Sequence, residues 1–247
     1  MVERVLPIDL LIGWFKRNEI KGALVDLDDT LLDTNAHFGK WIDRYVSAVV
    51  EKNPNLDWRE VMAKLVETNN RLYETESVRR RKLAMVAKEL DNVFGTYPTF
   101  VKHADIVGQI YRKVPLELEG ARQTLEMFRA AGIQMGLVTH ANRGWTEKKL
   151  YEHNLNHFFS HVVIVDEAKF KGPKDWLTAA KSLRLDPEEI LFIGDNLRGD
   201  IMAAYEIGAR RVVWIESPWS VYREGEVPEG VIQVKSIKEV IPALING

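Results

Sequence analysis

The feature that most constrains the fold is an alternation. From residue 21 onward, short apolar runs of strand length are separated by segments with helical periodicity, the pattern of a parallel sheet covered by helices. The strand-like runs are Ala23 to Leu27, Ile133 to Val138, Val162 to Val165, Ile190 to Ile193, Arg211 to Ile215 and Val231 to Val234. Helix-sized segments lie between most of them, at Ala121 to Ala131, Trp145 to His153, Asp175 to Leu183 and Ile201 to Ile207, and a last helix is expected at Ile237 to Leu244. This predicts a doubly wound α/β domain with a parallel sheet, whose ligand site lies at the carboxyl ends of the strands.

One interval breaks the alternation. Residues 34–115 hold helical patterns at Phe38 to Glu51, Trp58 to Tyr73, Val78 to Leu90 and Phe100 to Lys113, and no convincing strand. Pro54 precedes the second of these, and Asp57 and Glu60 stand at capping-box spacing at its start. Gly95, Pro98 and Pro115 mark breaks. The expected organisation is an α/β core of residues 1–33 and 116–247 carrying an inserted all-helical domain, residues 34–115. Near the N-terminus, Leu10, Leu11, Trp14 and Phe15 form a helical stripe that is expected to pack on the body.

Composition limits the chemistry. The absence of cysteine excludes disulfides, thiolate nucleophiles and cysteine-based metal sites. A net charge of −2 predicts no bulk nucleic-acid affinity. The first apolar stretch is interrupted by Pro7, Asp9 and Gly13, and no run reaches the roughly 18 apolar residues of a membrane span, so no membrane association and a cytoplasmic location are expected.

The first strand runs into Asp26-Leu27-Asp28-Asp29-Thr30-Leu31. Side chains at i and i+2 on a strand share a face, so Asp26 and Asp28 are expected to converge. Clustered carboxylates repel unless a cation sits between them or one is protonated, and the pairing suggests a hard divalent metal with oxygen ligands, Mg2+ fitting best. A second acidic cluster, Gly194-Asp195-Asn196-Leu197-Arg198-Gly199-Asp200, follows another apolar strand. With Thr139 after Leu137-Val138 and a lysine beyond Val162 to Val165, four strand ends offer metal ligands, a hydroxyl and a cation. That set suits phosphoryl transfer.

These residues, in this order, resemble the four motifs of the haloacid dehalogenase (HAD) superfamily, specifically its magnesium-dependent phosphatases with a helical cap. The first motif, Asp-x-Asp-x-Thr-Leu, stands as Asp26, Asp28, Thr30 and Leu31; the second is Thr139, the third a lysine, and the fourth Gly194-Asp195 with Asp200. The resemblance covers nearly the whole chain and implies a Rossmann-like core, a cap over residues 34–115 and hydrolysis of small phosphate monoesters. It further implies that Asp26 attacks phosphorus and that Asp28 protonates the leaving group and then activates water. Asp26, the Asp28 carbonyl, Asp195 and Asp200 would hold magnesium, and Thr30, Thr139, His140 and the lysine would meet the substrate. The usual Lys-Pro pair is absent from Phe170-Lys171-Gly172-Pro173-Lys174. Lys171 is assigned by its spacing to Asp195, with Lys174 as rival.

Other readings compete for several of these residues. Thr139 and Asp200 are each placed to cap the helix that follows, Asp29 reads as solvated or structural, and His140 stands where relatives often carry Asn. His153, His157 and His161 lie four apart, but Asn154 and Asn156 argue against the helix that would align them on a metal. Arg79-Arg80-Arg81-Lys82 fans around a helix start and reads first as solvated, with a second anionic group on the substrate as its other possible partner. Trp219 and Tyr222 read as exposed aromatics. A phosphotransferase or mutase would use the same four motifs, and a binding protein would keep the fold without the chemistry; substrate and oligomeric state are not written in the sequence.

Overall fold

The computed structural model of the protein describes residues 7–79 and 81–246, so Arg80 and residues 1–6 of the expected core lie outside the described residues. The first helix, α1 (Pro7–Arg17), buries Leu11, Trp14 and Phe15, while Leu10 of the expected stripe is exposed. Strand β1 (Gly22–Val25) follows, entirely buried. Helices α2 (Thr34–Lys52), α3 (Trp58–Glu76), α4 (Arg81–Phe94) and α5 (Thr99–Gly108) come next without an intervening strand, and a 3₁₀ turn, Gln109–Arg112, extends α5. The chain then alternates: α6 (Ala121–Ala130), β2 (Gln134–His140), α7 (Arg143–Glu152), β3 (His161–Val165), α8 (Pro173–Leu183), β4 (Ile190–Gly194), α9 (Ala203–Glu206), β5 (Arg211–Ile215), β6 (Ile232–Val234) and α10 (Val240–Asn246).

The six strands form one parallel sheet in the order β3-β2-β1-β4-β5-β6. Chain order reverses around β1, where Val25 pairs with Leu137 on one side and Ile193 on the other. Such a reversal splays the connections apart and opens a crevice at the carboxyl ends of the strands. The two faces of the sheet bury separate cores. Ala23 and Val25 pack with Leu11, Phe15 and Phe128, whereas Leu24 packs with Trp176, Phe192 and Ala204. A third core, built on Tyr45, Val49, Val61, Leu90 and Phe100, holds the inserted helices together and takes in Trp145 from α7. The insertion is thereby keyed to the sheet domain by a tryptophan beside the strand ends.

Caps fix where helices start. Asp33 accepts from the Ala36 amide at α2, Asp57 from Glu60 at α3, and Asn142 from Trp145 at α7. Thr139 therefore caps nothing. The segment expected to be helical from Ile201 begins earlier, with a π-helical turn over Leu197–Met202, because the Asn196 side chain accepts from the amides of Arg198 and Gly199. Asp200 does not cap that turn.

Candidate active site

A cavity of about 420 Å³ opens at the carboxyl ends of β1, β2 and β4 and reaches into the inserted helices. At its floor Asp26 is buried, its amide bonded to Ile193 across the reversal point at 2.9 Å. The chain then turns tightly, with the Leu31 amide returning to Leu27 at 2.9 Å and Asp29 in the left-handed region at φ 57°. This turn separates the three carboxylates. Asp26 takes the Lys171 ammonium on Oδ1. Asp28 is held by Lys149, whose Nζ lies 2.6 Å from both carboxylate oxygens, and by the Thr34 hydroxyl. Asp29 accepts from the Asn35 amide at 2.7 Å and from the Trp219 indole. It is buried and structural rather than solvated.

From β4, Asp195 accepts from the Ser217 hydroxyl at 2.6 Å. The π-helical turn carries Asp200 back to the strand end, where its Oδ2 accepts from the Asn196 amide at 3.0 Å and its Oδ1 lies 2.6 Å from Lys171, close but poorly aligned for a hydrogen bond. Gly194 is required by that return. A Cβ there would lie 2.3 Å from Asp200 Oδ2. Oxygens of Asp26, Asp195 and Asp200 stand within 4.8 Å of one another.

The electrostatics of this cluster are lopsided. Three buried carboxylates share a single ammonium, and burial is the largest influence on Asp26 and Asp195. It pushes the Asp26 carboxyl up to about 7 against the pull of Lys171, and holds Asp195 well above the usual carboxylate range with help from Asp26 and Asp200. Asp29 is likewise raised to about 7. Lys171 is raised in turn, its two aspartates outweighing desolvation. Buried negative charge in such excess, on oxygen ligands alone, fits a hard divalent cation.

The other expected residues divide. Thr139 ends β2 fully buried, with its hydroxyl unpartnered and its residue lining the cavity. Thr30 is also buried with an unpartnered hydroxyl, but is not among the cavity-lining residues. Lys171 reaches the aspartates whereas Lys174 is exposed on the first turn of α8. His140 lines the cavity, and its Nε2 meets the Ser77 hydroxyl at 3.1 Å. That hydroxyl donates to the Lys169 carbonyl at 2.7 Å, so the imidazole proton sits on Nε2; burial and Lys171 lower its pKa to about 4 and keep the ring neutral. The three spaced histidines form no metal group: His153 bonds the Pro115 carbonyl, His157 lies against Phe158, and His161 opens β3 exposed. Trp219 and Tyr222 are half-buried cavity walls rather than exposed aromatics.

Three contributors were not foreseen. Lys149 and Thr34 hold Asp28, and Ser217 holds Asp195. Lys149 had a signal, since it stands one turn after Trp145 on a helix whose buried face also carries Thr146 and Leu150. Its Nζ lies 4.1 Å from the Trp145 ring centroid.

The sequence and the fold have known counterparts. The chain is 28% identical over 200 residues to glyceraldehyde 3-phosphate phosphatase of Pyrococcus abyssi, covering 80% of this chain and 82% of that one. It is 29% identical over 201 residues to pyrophosphatase PpaX of Bacillus velezensis, covering 79% and 84%. Its fold superposes on the magnesium-bound HAD hydrolase YfnB of Bacillus subtilis with a TM-score of 0.69 at 17% identity, covering 91% of this chain and 98% of that one. The profile of haloacid dehalogenase-like hydrolases matches residues 20–208, and the chain belongs to that family.

Proposed function

We propose that this protein is a magnesium-dependent phosphatase that hydrolyses small phosphorylated metabolites through an aspartyl phosphate on Asp26. Residues 34–115 are its cap, residues 1–33 and 116–247 its core, and the cytoplasm its place of work. The observation that carries the reading is the Asp26 carboxylate, presented at the β1 reversal point with Lys171 and the Asp195–Asp200 pair, in a cavity also lined by Thr139, whose hydroxyl is unpartnered at the end of the neighbouring strand. The phosphatase activities of the two relatives agree with it.

In the first half-reaction an Asp26 oxygen bonds to phosphorus as the ester P–O bond breaks, and Asp28 passes a proton to the departing oxygen. In the second, Asp28 takes a proton from water, the water oxygen bonds to phosphorus, and the acyl phosphate bond returns its electrons to Asp26. Lys171 and Thr139 stabilise the phosphoryl oxygens while charge shifts between entering and leaving atoms. Asp26, Asp195 and Asp200, with the Asp28 main-chain carbonyl, would hold magnesium. When bound, the ion neutralises phosphoryl charge.

Asp26→Asn tests the reading, because an amide cannot attack phosphorus. Turnover of phenyl phosphate is expected to fall below ~1% of wild type with the fold retained by circular dichroism, since losing the nucleophile costs at least as much as losing an acid/base group. Residual turnover above that level removes Asp26 from the role.

A further inference from the structure

Most of the cavity lies away from the aspartates, and its surface there is predominantly apolar and aromatic, with Asn69, Asn70, Arg79 and Lys82 as polar exceptions. Phe38 and Ile42 of α2, Leu65 of α3, Val86 of α4, Trp145 of α7 and Trp219 after β5 face it. A volume of about 420 Å³ is in the range of pockets that enclose whole drug-sized ligands, and a two- or three-carbon leaving group leaves most of it empty. A polyol would fare worse than an arene against the apolar part of this wall, because hydroxyls placed there give up water without gaining a partner. Ring edges and faces from four segments favour an aromatic occupant: Trp145 lies 6.0 Å from Phe38 and 5.1 Å from Tyr111, centroid to centroid, and Phe38 lies 6.3 Å from Trp219.

Two cations of the basic run, Arg79 and Lys82, line this wall. Arg79 and the exposed Arg81 both pair with Glu76, whereas Lys82 is 8% exposed and, among the described residues, has no such partner. Among the described residues no carboxylate lies within ion-pair distance of it, and its recorded contact is the Tyr73 ring, 5.4 Å from Nζ. Tyr73 in turn lies within hydrogen-bonding reach of Asn196 and Tyr222, so Lys82 stands one ring away from the loop that carries Asp195. Burial lowers its pKa to about 8, which leaves it charged at neutral pH. The Trp145 indole N–H is a second buried donor without a partner in the same wall. Buried unpaired donors are costly unless an acceptor arrives.

We infer that the cavity selects a phosphate monoester whose leaving group is an aromatic body bearing a second anionic group, a carboxylate or phosphate, that Lys82 receives. The inference rests on the phosphatase reading and names the substrate class for that site. The expected solvated helix start thus holds for Arg81 and fails for Lys82, while Arg79 is half-buried in the cavity lining with Glu76 as its partner.

The experiment compares kcat/KM for 2-naphthyl phosphate, 6-carboxy-2-naphthyl phosphate, phosphoglycolate and glycerol 2-phosphate, in wild type, Lys82→Met and Lys82→Arg. Wild type is expected to favour both naphthyl esters over the two aliphatic ones by about tenfold or more. Lys82→Met, which swaps a buried unpaired ammonium for an apolar chain of similar length, should lower the carboxynaphthyl-to-naphthyl ratio by about tenfold, and Lys82→Arg should restore much of it. The ratio cancels any difference in leaving-group reactivity and any general loss of folded enzyme. Preference for phosphoglycolate overturns the aromatic class, and an unchanged ratio in Lys82→Met removes Lys82 from recognition. If no ester is turned over, the phosphatase reading itself fails. The substrate-class inference is then decided by calorimetric binding of 6-carboxy-2-naphthyl methylphosphonate, which must weaken in Lys82→Met more than binding of the uncarboxylated analogue.

Discussion

Asp26 and Asp28 stand two residues apart, yet each is held by its own buried lysine. Lys171 serves the floor of the cavity, and Lys149, 0% exposed, grips both oxygens of Asp28. A carboxylate held at two oxygens by an ammonium and at one by Thr34 has little rotational freedom, so Lys149 is a positioning residue for the proposed acid/base. Lys149→Met is expected to lower kcat by about tenfold or more with a smaller change in KM, but by no more than the contribution of the acid/base itself, about 10²–10⁴-fold. If it acts through Asp28, the double variant with Asp28→Asn turns over no more slowly than Asp28→Asn alone. Additive losses would make Lys149 merely structural. Motif spacing made Asp26, Thr139, Lys171, Asp195 and Asp200 legible as a set in the sequence, because each ends or follows a strand. Lys149 carried only the weak signal of its helix face, and Lys82 reads as part of a basic run, solvated first and a partner for a second anionic group on the substrate second. A lysine on a helix is by default solvated, and only the tertiary placement of Trp145 and Tyr73 turns these two inward.

At the scale of elements, the parallel strands were the most legible, since a strand buried on both faces is a continuous apolar run and its ends are set by neighbours already in register. The start of α9 was misread because the Asn196 side chain winds a π-helical turn before it, and no hydrophobic period records that. Helix α5 shows a similar limit. It starts beside Pro98 with no cap of its own, and its first amides are satisfied from α4: the fully buried Asp91 accepts from Phe100 at 2.9 Å, from Val101 at 3.0 Å and from the Thr96 hydroxyl at 3.1 Å. A buried carboxylate serving three donors, the Phe100 amide fully buried and the other two partly so, locks α4 to α5, and these helices build one wall of the cavity. Asp91→Ala leaves those donors unpaired, so it should destabilise the inserted helices by about 3 kcal/mol or more, read by urea unfolding. A loss under ~1 kcal/mol would mean the amides find other acceptors. Ser77 joins the insertion to the sheet domain at its other end. Its φ of 53° bends the chain out of α3 so that one hydroxyl meets both His140 and the Lys169 carbonyl.

Across the whole molecule, charge is sorted between the two parts. Residues 34–115 carry 14 Lys+Arg against 10 Asp+Glu, a net +4 that leaves −6 for the remainder. Much of the consequential negative charge is gathered at one point, where Asp26, Asp195 and Asp200 converge. The protein without a cation therefore folds against electrostatic repulsion in a low-dielectric site, and a divalent ion that binds the folded state alone must raise the unfolding midpoint. At about a hundredfold excess over its dissociation constant the linkage amounts to about 2.7 kcal/mol, which for a chain of this length corresponds to about 5–10 °C. Asp195→Asn separates the two contributions. The Asp195 carboxyl is held well above its ordinary range by burial first and by Asp26 and Asp200 next, so replacing it with a neutral amide relieves the repulsion. The variant should melt no lower than wild type in EDTA, and the Ser217 hydroxyl still has an oxygen to donate to. The same substitution removes a ligand and one unit of charge from the cation site, so the gain on adding Mg2+ should largely vanish. The two melting curves are then expected to cross, with the variant equal or higher without the metal and wild type higher with it. Equal increments in both proteins would show that magnesium stabilises the fold elsewhere, and a variant that melts well below wild type in EDTA would show that the Asp195–Ser217 bond outweighs the repulsion.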